Sequence, residues 1–205
     1  MSTLTLVRHG QASPFLERTA RLTELGRCQA EALARHWLAQ GVSFTAVYTG
    51  GLERQIETER QVARCYHAAG RPWPEPVRDE AWSEYEAPAG IVPGEDPRAF
   101  QRAFEAAMLA WLQTPAWTAF HARVSGAIAG VQQSPSGSRV AVFTSGGPIG
   151  FAVHLAMQAP ARSFLEVNWR VRNASFSEFL FDRDRLSLDS FNNIPHLDGP
   201  LRSYR

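Results

Sequence analysis

The chain has 205 residues, of which 44% are hydrophobic and 20% charged, and its formal net charge at pH 7 is +1. This composition is typical of a globular protein with one sizeable core. The near-neutral charge excludes a bulk electrostatic attraction to nucleic acid or to a membrane surface. All 21 basic residues are arginines, whose planar guanidinium group suits bidentate binding of phosphate.

The first predicted strand is the apolar run over residues 4–7, which ends at Arg8-His9-Gly10. Open α/β sheets bind their ligands at the carboxyl ends of strands, and Gly10 allows the backbone to approach a bound group closely. We interpret His9 as a nucleophile toward a phosphoryl group that Arg8 helps to hold. An ordinary exposed turn is the alternative.

A polar loop is predicted over residues 11–21. Thr23 has the character of a helix N-cap, and Gly41 marks the end of the helix that it opens. A second strand is predicted over residues 44–49. Two glycines then open a second helix, which runs to about residue 69 and carries Arg54 and Thr58 one turn apart on one face.

After a short extended segment that ends at Glu84, residues 86–135 are predicted to be a helical insertion, entered through Asp96 and Pro97. The most strand-like run of the second half, residues 140–144, ends at Ser145-Gly146-Gly147, and a helix is predicted from about residue 149 to 158. Two antiparallel strands complete the chain at 175–181 and 186–191.

Strands that alternate with helices predict a three-layer α/β/α sandwich with a mostly parallel sheet and an antiparallel edge. Nothing in the composition divides the chain, so residues 1–205 are expected to form a single domain. Cys28 and Cys65 lack metal-type spacing and are weak evidence for a disulfide. The first strand begins by residue 4, and no apolar run is long enough to span a membrane. We therefore expect a cytoplasmic protein without membrane or nucleic-acid partners, and a homodimer is compatible with the sequence.

Three predicted strand ends carry polar groups: Arg8-His9, the glycine turn before Arg54, and Ser145-Gly146. Glycine turns that open helices present backbone N–H groups, which bind anions. Two arginines, two helix starts and an imidazole together predict a phosphate pocket that contains a nucleophile.

On these residues the chain resembles the histidine phosphatase superfamily, which is phosphoglycerate mutase-like in fold. The resemblance spans nearly the whole chain and rests on the following motifs: Val7-Arg8-His9-Gly10; Leu22-Thr23 with Gly26, Gln29 and Ala30; Leu52-x-Arg54 with Thr58; Glu84; Asn173; and Asn192-Asn193 with His196-Leu197.

The resemblance implies a metal-independent phosphomonoesterase with no cofactor, acting on a small phosphorylated metabolite. His9 would form a phosphohistidine intermediate, and Arg8 and Arg54 would stabilise the phosphoryl oxygens. Glu84 would protonate the leaving group and then activate water. Its neighbours Asp79, Glu80 and Glu86 are alternatives for that role.

The chain departs from the family at Ser145, where relatives usually carry a second histidine. We expect Ser145 and the Gly146 amide to bind phosphate, although Ser145 could instead be a plain helix cap. His154 is about 13 Å further along a helix and is not expected to substitute. Because of this departure, the alternative function is that of a non-catalytic family member that binds phosphoryl ligands. A phosphoglycerate mutase is less favoured, because the insertion carries Arg98 and Arg102 but no lysine.

Overall fold

A computed structural model describes residues 1–13, 19–86, 88 and 97–204, with only the backbone described at 97–100. The strands are β1 (Ser2–Arg8), β2 (Ala12–Ser13), β3 (Arg21–Leu22), β4 (Ala46–Thr49), β5 (Val77–Arg78), β6 (Arg139–Thr144), β7 (Phe176–Phe181) and β8 (Leu186–Asn193). The α-helices are α1 (Glu24–Ala39), α2 (Glu53–Ala68), α3 (Pro97–Trp111), α4 (Pro115–Gln132), α5 (Gly146–Ala156) and α6 (Ala161–Asn168). Single turns of 3-10 helix lie at Glu80–Trp82 and Gly199–Leu201.

Six of the strands form one mixed sheet in the order β5-β4-β6-β1-β7-β8. The first four of these are mutually parallel, whereas β7 runs antiparallel to both β1 and β8. The register pairs Arg8 with Thr144 and Thr49 with Phe143, so β1, β6 and β4 end at the same edge of the sheet. The predicted mostly parallel sheet with an antiparallel edge is confirmed.

Both faces of this sheet are covered, because alternate residues of a strand point to opposite sides. On one side, Leu4 and Leu6 are fully buried under a core shared by α3, α4, α5 and α6. On the other side, Val7 and Phe143 are fully buried against α1 and α2. This arrangement confirms the three-layer sandwich.

The helix boundaries of the first half follow the sequence signals closely. Thr23 is the N-cap of α1 and accepts a hydrogen bond from the Gly26 N–H, and Gly41 follows the helix with a φ of +66°. Such a left-handed conformation is available to glycine at little cost, so Gly41 ends the helix as predicted. Within the predicted insertion, α3 contributes Phe104, Met108 and Trp111 to the buried core. Asp96 lies outside the described residues.

Several predicted boundaries differ from the structure. The loop predicted over 11–21 contains β2 and β3, which pair with each other, and α6 was not predicted at all. The extended segment before Glu84 is only two residues of strand followed by a 3-10 turn. The helix predicted from about residue 149 begins at Gly146, directly after Ser145, because two glycines and a proline in a first turn obscure the helical pattern.

Within the described residues, none of the helices combines the length and the apolar character that crossing a bilayer requires. Cys28 and Cys65 both have free thiols.

Candidate active site

The candidate site lies where β1, β6 and the start of α2 meet at the carboxyl edge of the sheet. His9 directly follows β1, and its backbone N–H donates to the Thr144 carbonyl at the end of β6. Arg54 lies in the first turn of α2, and its Nε donates to Nε2 of His9 at 3.1 Å. His9 and Arg54, which are 45 positions apart in the chain, are therefore in direct contact.

The hydrogen bonds of His9 define its tautomer. Its Nδ1 lies 2.7 Å from the Gly10 carbonyl oxygen, which can only accept, so Nδ1 carries the hydrogen. Its Nε2 faces the Nε–H of Arg54, which can only donate, so Nε2 carries a lone pair. The neutral ring satisfies both contacts, whereas the imidazolium would oppose two N–H groups at Nε2.

Charge and burial act in the same direction on this ring. The pKa of His9 is held well below its ordinary value of 6.5, first by burial and then by the positive charges of Arg8 and Arg54. Arg8 and Arg54 are themselves only 6% and 8% exposed, and Arg8 donates from its guanidinium to the Val171 carbonyl. The site therefore combines a neutral imidazole with two largely buried cations.

The backbone beside His9 is held by close packing and by one hydroxyl. Thr58 accepts from the Gly10 N–H at 3.1 Å and donates to the Arg54 carbonyl at 2.6 Å, which links the strand end to α2. A Cβ at Gly10 would lie 2.4 Å from the carbonyl oxygen of Gly26 in α1. Glycine is required here because α1 approaches the His9 segment too closely for any side chain.

Glu84 reaches the same edge from the segment after the 3-10 turn. Its carboxylate accepts from the Gly147 N–H at 3.2 Å and from the Tyr85 N–H at 3.1 Å. Burial of the carboxyl group raises the pKa of Glu84 above 4.5, and the charges of Arg54 and Arg8 oppose this rise only in part. Because both arginines act on Glu84 and on His9, the four side chains share one electrostatic environment.

The alternatives to Glu84 have other structural roles or positions. Asp79 caps the 3-10 turn by accepting from the Ala81 N–H at 2.8 Å. Glu80 forms an ion pair with Arg78 at 2.9 Å and accepts from the Ser83 hydroxyl. Glu86 is exposed. The pKa of Glu84, by contrast, is influenced by the charges of both site arginines.

Ser145 is fully buried at the junction of β6 and α5. It is the N-cap residue of α5 by position, but its hydroxyl does not accept from the first turn of that helix. Instead its Oγ accepts from Nε2 of Gln55 at 2.8 Å. Ser145 is therefore a helix cap by position but not through its side chain, and nothing in the sequence alone pointed to Gln55.

At the two glycine turns, where backbone N–H groups were expected to bind an anion, three of these groups already donate to side chains of the protein. At the start of α2 the Gly51 N–H donates to Ser83 Oγ and the Leu52 N–H to Gln55 Oε1, so side chains of the protein already occupy this helix start. At α5 the Gly147 N–H is bonded to Glu84. Gly146 lies against Asn168, whose Oδ1 would be 2.5 Å from an added Cβ.

His154 and Trp82 do not line the site. His154 lies in the last turn of α5, at the opposite end from Ser145, and its ring packs near Phe151 and Trp117. Trp82 is 1% exposed in the core, and its carbonyl oxygen accepts from the Thr144 hydroxyl at 2.5 Å. Within the described part of the chain, no three His, Cys, Asp or Glu side chains cluster closely enough to hold a metal ion.

A hydrogen-bond network connects the C-terminal segment to the backbone of His9. Gln29 accepts from the Gln11 N–H and donates to Ser203 Oγ at 2.8 Å, and Ser203 in turn donates to Asn173 at 3.0 Å. The Asn173 amide lies 3.5 Å from the His9 carbonyl. Gln29 and Asn173 were part of the motif resemblance, but Ser203 had no signal in the sequence.

Solved structures share this fold at low sequence identity. YhfR of Bacillus stearothermophilus superposes with a TM-score of 0.71 at 23% identity, covering 96% of this chain and 99% of that one. A mycobacterial glucosyl-3-phosphoglycerate phosphatase in complex with inorganic phosphate gives 0.70 at 20%, covering 96% and 99%. A phosphoglycerate mutase from Bacillus anthracis gives 0.70 at 18%, covering 95% and 94%. At these identities the likeness establishes the fold alone.

No curated protein sequence matches the chain. The profile of the histidine phosphatase superfamily, branch 1, matches residues 4–194, which contain every predicted site residue. This match agrees with the expectation of a histidine-type phosphatase drawn from the motifs. Because it covers nearly all of the chain, the protein belongs to the histidine phosphatase superfamily, branch 1.

Proposed function

We propose that the protein is a metal-independent phosphomonoesterase that hydrolyses a small phosphorylated metabolite through a phosphohistidine at His9. The observation that carries the proposal is the neutral imidazole of His9, whose Nε2 lone pair faces Arg54 at 3.1 Å. A neutral nitrogen lone pair beside guanidinium groups is what attack on a phosphoryl dianion requires.

In the first step, Nε2 of His9 attacks phosphorus, the P–N bond forms and the ester P–O bond breaks. As the substrate binds, Arg54 stays protonated and its Nε–H changes its hydrogen-bond acceptor from His9 Nε2 to a phosphoryl oxygen, and Arg8 adds a second positive charge. The leaving oxygen takes a proton from the carboxyl of Glu84. The raised pKa of Glu84 supports this role, because it keeps part of that carboxyl protonated above pH 4.5.

In the second step, the Glu84 carboxylate takes a proton from water, whose oxygen attacks phosphorus. The P–N bond breaks, inorganic phosphate leaves, and the neutral imidazole is restored. The arginines supply the positive charge that a metal ion supplies in other phosphatases. The two steps together consume one water molecule and return the site to its starting state.

The test is hydrolysis of p-nitrophenyl phosphate in the presence of EDTA, between about pH 5 and 8. We expect turnover by the wild type, loss of turnover in His9→Ala, and full turnover in His67→Ala, which removes an exposed histidine from α2. An alkaline quench is expected to trap an acid-labile phosphoryl group on His9. A wild type without turnover, or undiminished turnover in His9→Ala, would contradict the proposal.

A second candidate is a non-catalytic protein that binds phosphorylated ligands, and the observation that favours it is Ser145. An uncharged hydroxyl there provides less stabilisation of developing charge than an imidazolium, and loss of one such donor costs on the order of 10²-fold in rate. This candidate predicts binding of phosphate esters without hydrolysis. Measurable turnover that depends on His9 excludes it.

A further inference from the structure

The amide of Gln55 is oriented without ambiguity by its surroundings. Its Oε1 accepts from the Leu52 N–H at 3.1 Å, so the amide nitrogen must point the other way. That nitrogen donates to Ser145 Oγ at 2.8 Å and to the Trp82 carbonyl at 3.3 Å. Gln55 is fully buried, and each of its polar atoms has a partner.

This orientation determines what the Ser145 hydroxyl can do. Because Gln55 donates to Oγ, the oxygen acts as the acceptor in that bond, and the hydroxyl keeps its own hydrogen for another partner. Among the described residues, no acceptor lies in hydrogen-bonding geometry to receive it. A buried hydroxyl whose hydrogen has no acceptor among these residues is suited to donate to a bound oxygen.

The position of Ser145 directs that donor toward the site. It lies one residue beyond the Arg8–Thr144 pair of the β1–β6 ladder, and so stands next to His9. Its other neighbour in the sheet is β4, which leads into the turn before Arg54. Ser145 thus lies between the end of β1, which carries Arg8, and the end of β4, from which the chain leads to Arg54.

We propose that Gln55 is a positioning residue that holds the Ser145 hydroxyl as a hydrogen-bond donor to the transferring phosphoryl group. The inference rests on the proposed function and adds a residue pair to it. The Gln55–Ser145 pair then occupies the place where relatives usually carry a second histidine. Accepting a bond from the amide polarises the hydroxyl and strengthens it as a donor, because chained hydrogen bonds reinforce each other in a buried setting.

A purely structural role for Gln55 makes a different prediction. Gln55 also satisfies Leu52 at the start of α2, so its loss would destabilise the fold whether or not Ser145 takes part in the reaction. The two roles separate in a double-mutant cycle, since a residue that acts through Ser145 has no effect on the reaction once the hydroxyl is gone.

The experiment compares the wild type, Ser145→Ala, Gln55→Met and the double variant. It measures kcat and KM for p-nitrophenyl phosphate, dissociation constants for inorganic phosphate and orthovanadate, and Tm. We expect Ser145→Ala to lower kcat by about 10- to 10²-fold and to weaken orthovanadate binding more than phosphate binding. Gln55→Met is expected to lower kcat severalfold when Ser145 is present and to leave kcat unchanged in the Ser145→Ala background.

Gln61→Met is the matched control, because Gln61 lies on the same helix and its amide bonds to Glu31. It is expected to leave kcat and both dissociation constants unchanged. If Gln55→Met does not fold, Gln55→Glu replaces it in the cycle, since a carboxylate keeps the Leu52 contact but has no N–H for Ser145.

Equal effects of Gln55→Met in both backgrounds, or unaltered kcat and orthovanadate affinity in Ser145→Ala, would overturn the inference. A wild type without turnover would instead contradict the proposed function. In that case the dissociation constants of the same four proteins for phosphate still test whether Gln55 acts through Ser145. Coupling between the two substitutions supports the inference, and additive effects refute it.

Discussion

Arg54 and His9 are joined by a hydrogen bond of 3.1 Å between the guanidinium Nε and the imidazole Nε2. The bond places an N–H donor at Nε2, so that this nitrogen carries the lone pair of the ring. Burial and the charges of Arg8 and Arg54 together disfavour protonation of the ring. The contact thus sets the tautomer of the proposed nucleophile and contributes to its neutral state.

Removing the Arg54 guanidinium is therefore expected to be costly. Arg54→Met should lower kcat/KM for phosphate monoesters by about 10²- to 10³-fold, the effect of losing one donor to developing charge. Steady-state kinetics check this, with Arg64→Met as the control, since Arg64 is an exposed arginine on the same helix. A loss of less than about tenfold in Arg54→Met would show that Arg54 does not contact the reacting phosphoryl group.

The pH dependence should follow from His9 and Glu84. Burial and two positive charges lower the pKa of His9, so this ring stays neutral until well below pH 6.5. Burial raises the pKa of Glu84, so the protonated acid persists above pH 4.5 and is lost as the pH rises further. We expect hydrolysis of alkyl phosphates to decline with rising pH as Glu84 ionises.

The same carboxyl group predicts a dependence on the leaving group. An alkoxide needs a proton to depart, whereas p-nitrophenolate is stable without one. Glu84→Gln should therefore reduce kcat/KM, which reports the step in which the leaving group departs, far more for an alkyl phosphate than for p-nitrophenyl phosphate. Asp79→Asn serves as the control, because Asp79 is a nearby carboxylate with a capping role. Equal losses of kcat/KM for both substrates in Glu84→Gln would assign the protonation of the leaving group to another residue.

Gly147→Ala should disturb the site through Glu84. An added Cβ would lie 2.0 Å from Glu84 Oε1 and 2.7 Å from the Tyr85 ring, so the carboxylate must move away from the Gly147 N–H. We expect a large loss of kcat. Gly126→Ala is the control, because nothing lies within 4 Å of its added Cβ. That change should leave kcat unaltered and stabilise α4 by up to about 1 kcal/mol. Normal kcat in Gly147→Ala would refute the proposed position of Glu84.

His196 should make the fold less stable in acid. Burial lowers the pKa of His196 to about 4, while its Nε2 lies 2.9 Å from the Ala174 carbonyl and the neighbouring His36 ring is 6.0 Å away. The unfolded chain, with a pKa near 6.5, then binds the proton more readily than the folded one. The contribution of neutral His196 is complete above pH 6.5 and is lost as the pH falls toward 4, by about 3 kcal/mol at most.

Urea unfolding near pH 7 and near pH 4.5 checks this linkage. His196→Gln can keep the bond to Ala174 but cannot be protonated, so its free energy of unfolding should fall less in acid than that of the wild type. The comparison is between variants, because the shifted pKa values of His9 and Glu84 add their own pH dependence to the stability. His67→Gln, which changes an exposed side chain, should behave as the wild type. Parallel pH dependence of the wild type and His196→Gln would contradict the prediction.

Helix ends with a clear capping residue, and strands with a continuous apolar run, were predicted well from the sequence. The Thr23 cap, the Gly41 stop and the apolar runs that form β1 and β6 each depend on the conformational preferences of a few consecutive residues. By contrast, α6 was not predicted. The predicted start of α5 was too late in the chain, because Gly146, Gly147 and Pro148 do not have a helical composition. That turn is helical because it packs fully buried on the sheet.

The sequence by itself determined the family, the layered fold and the residue types of a phosphate site, because these follow from strand ends and motifs that are local in the chain. Only the tertiary structure decided how the groups are paired: Arg54 with His9, Glu84 with Gly147, and Gln55 with Ser145. Hydrogen bonds between residues 45 to 90 positions apart depend on strand register and helix packing, which no local pattern encodes. The tautomer of His9, the shifted pKa of Glu84 and the donor role assigned to Ser145 all depend on those distant contacts.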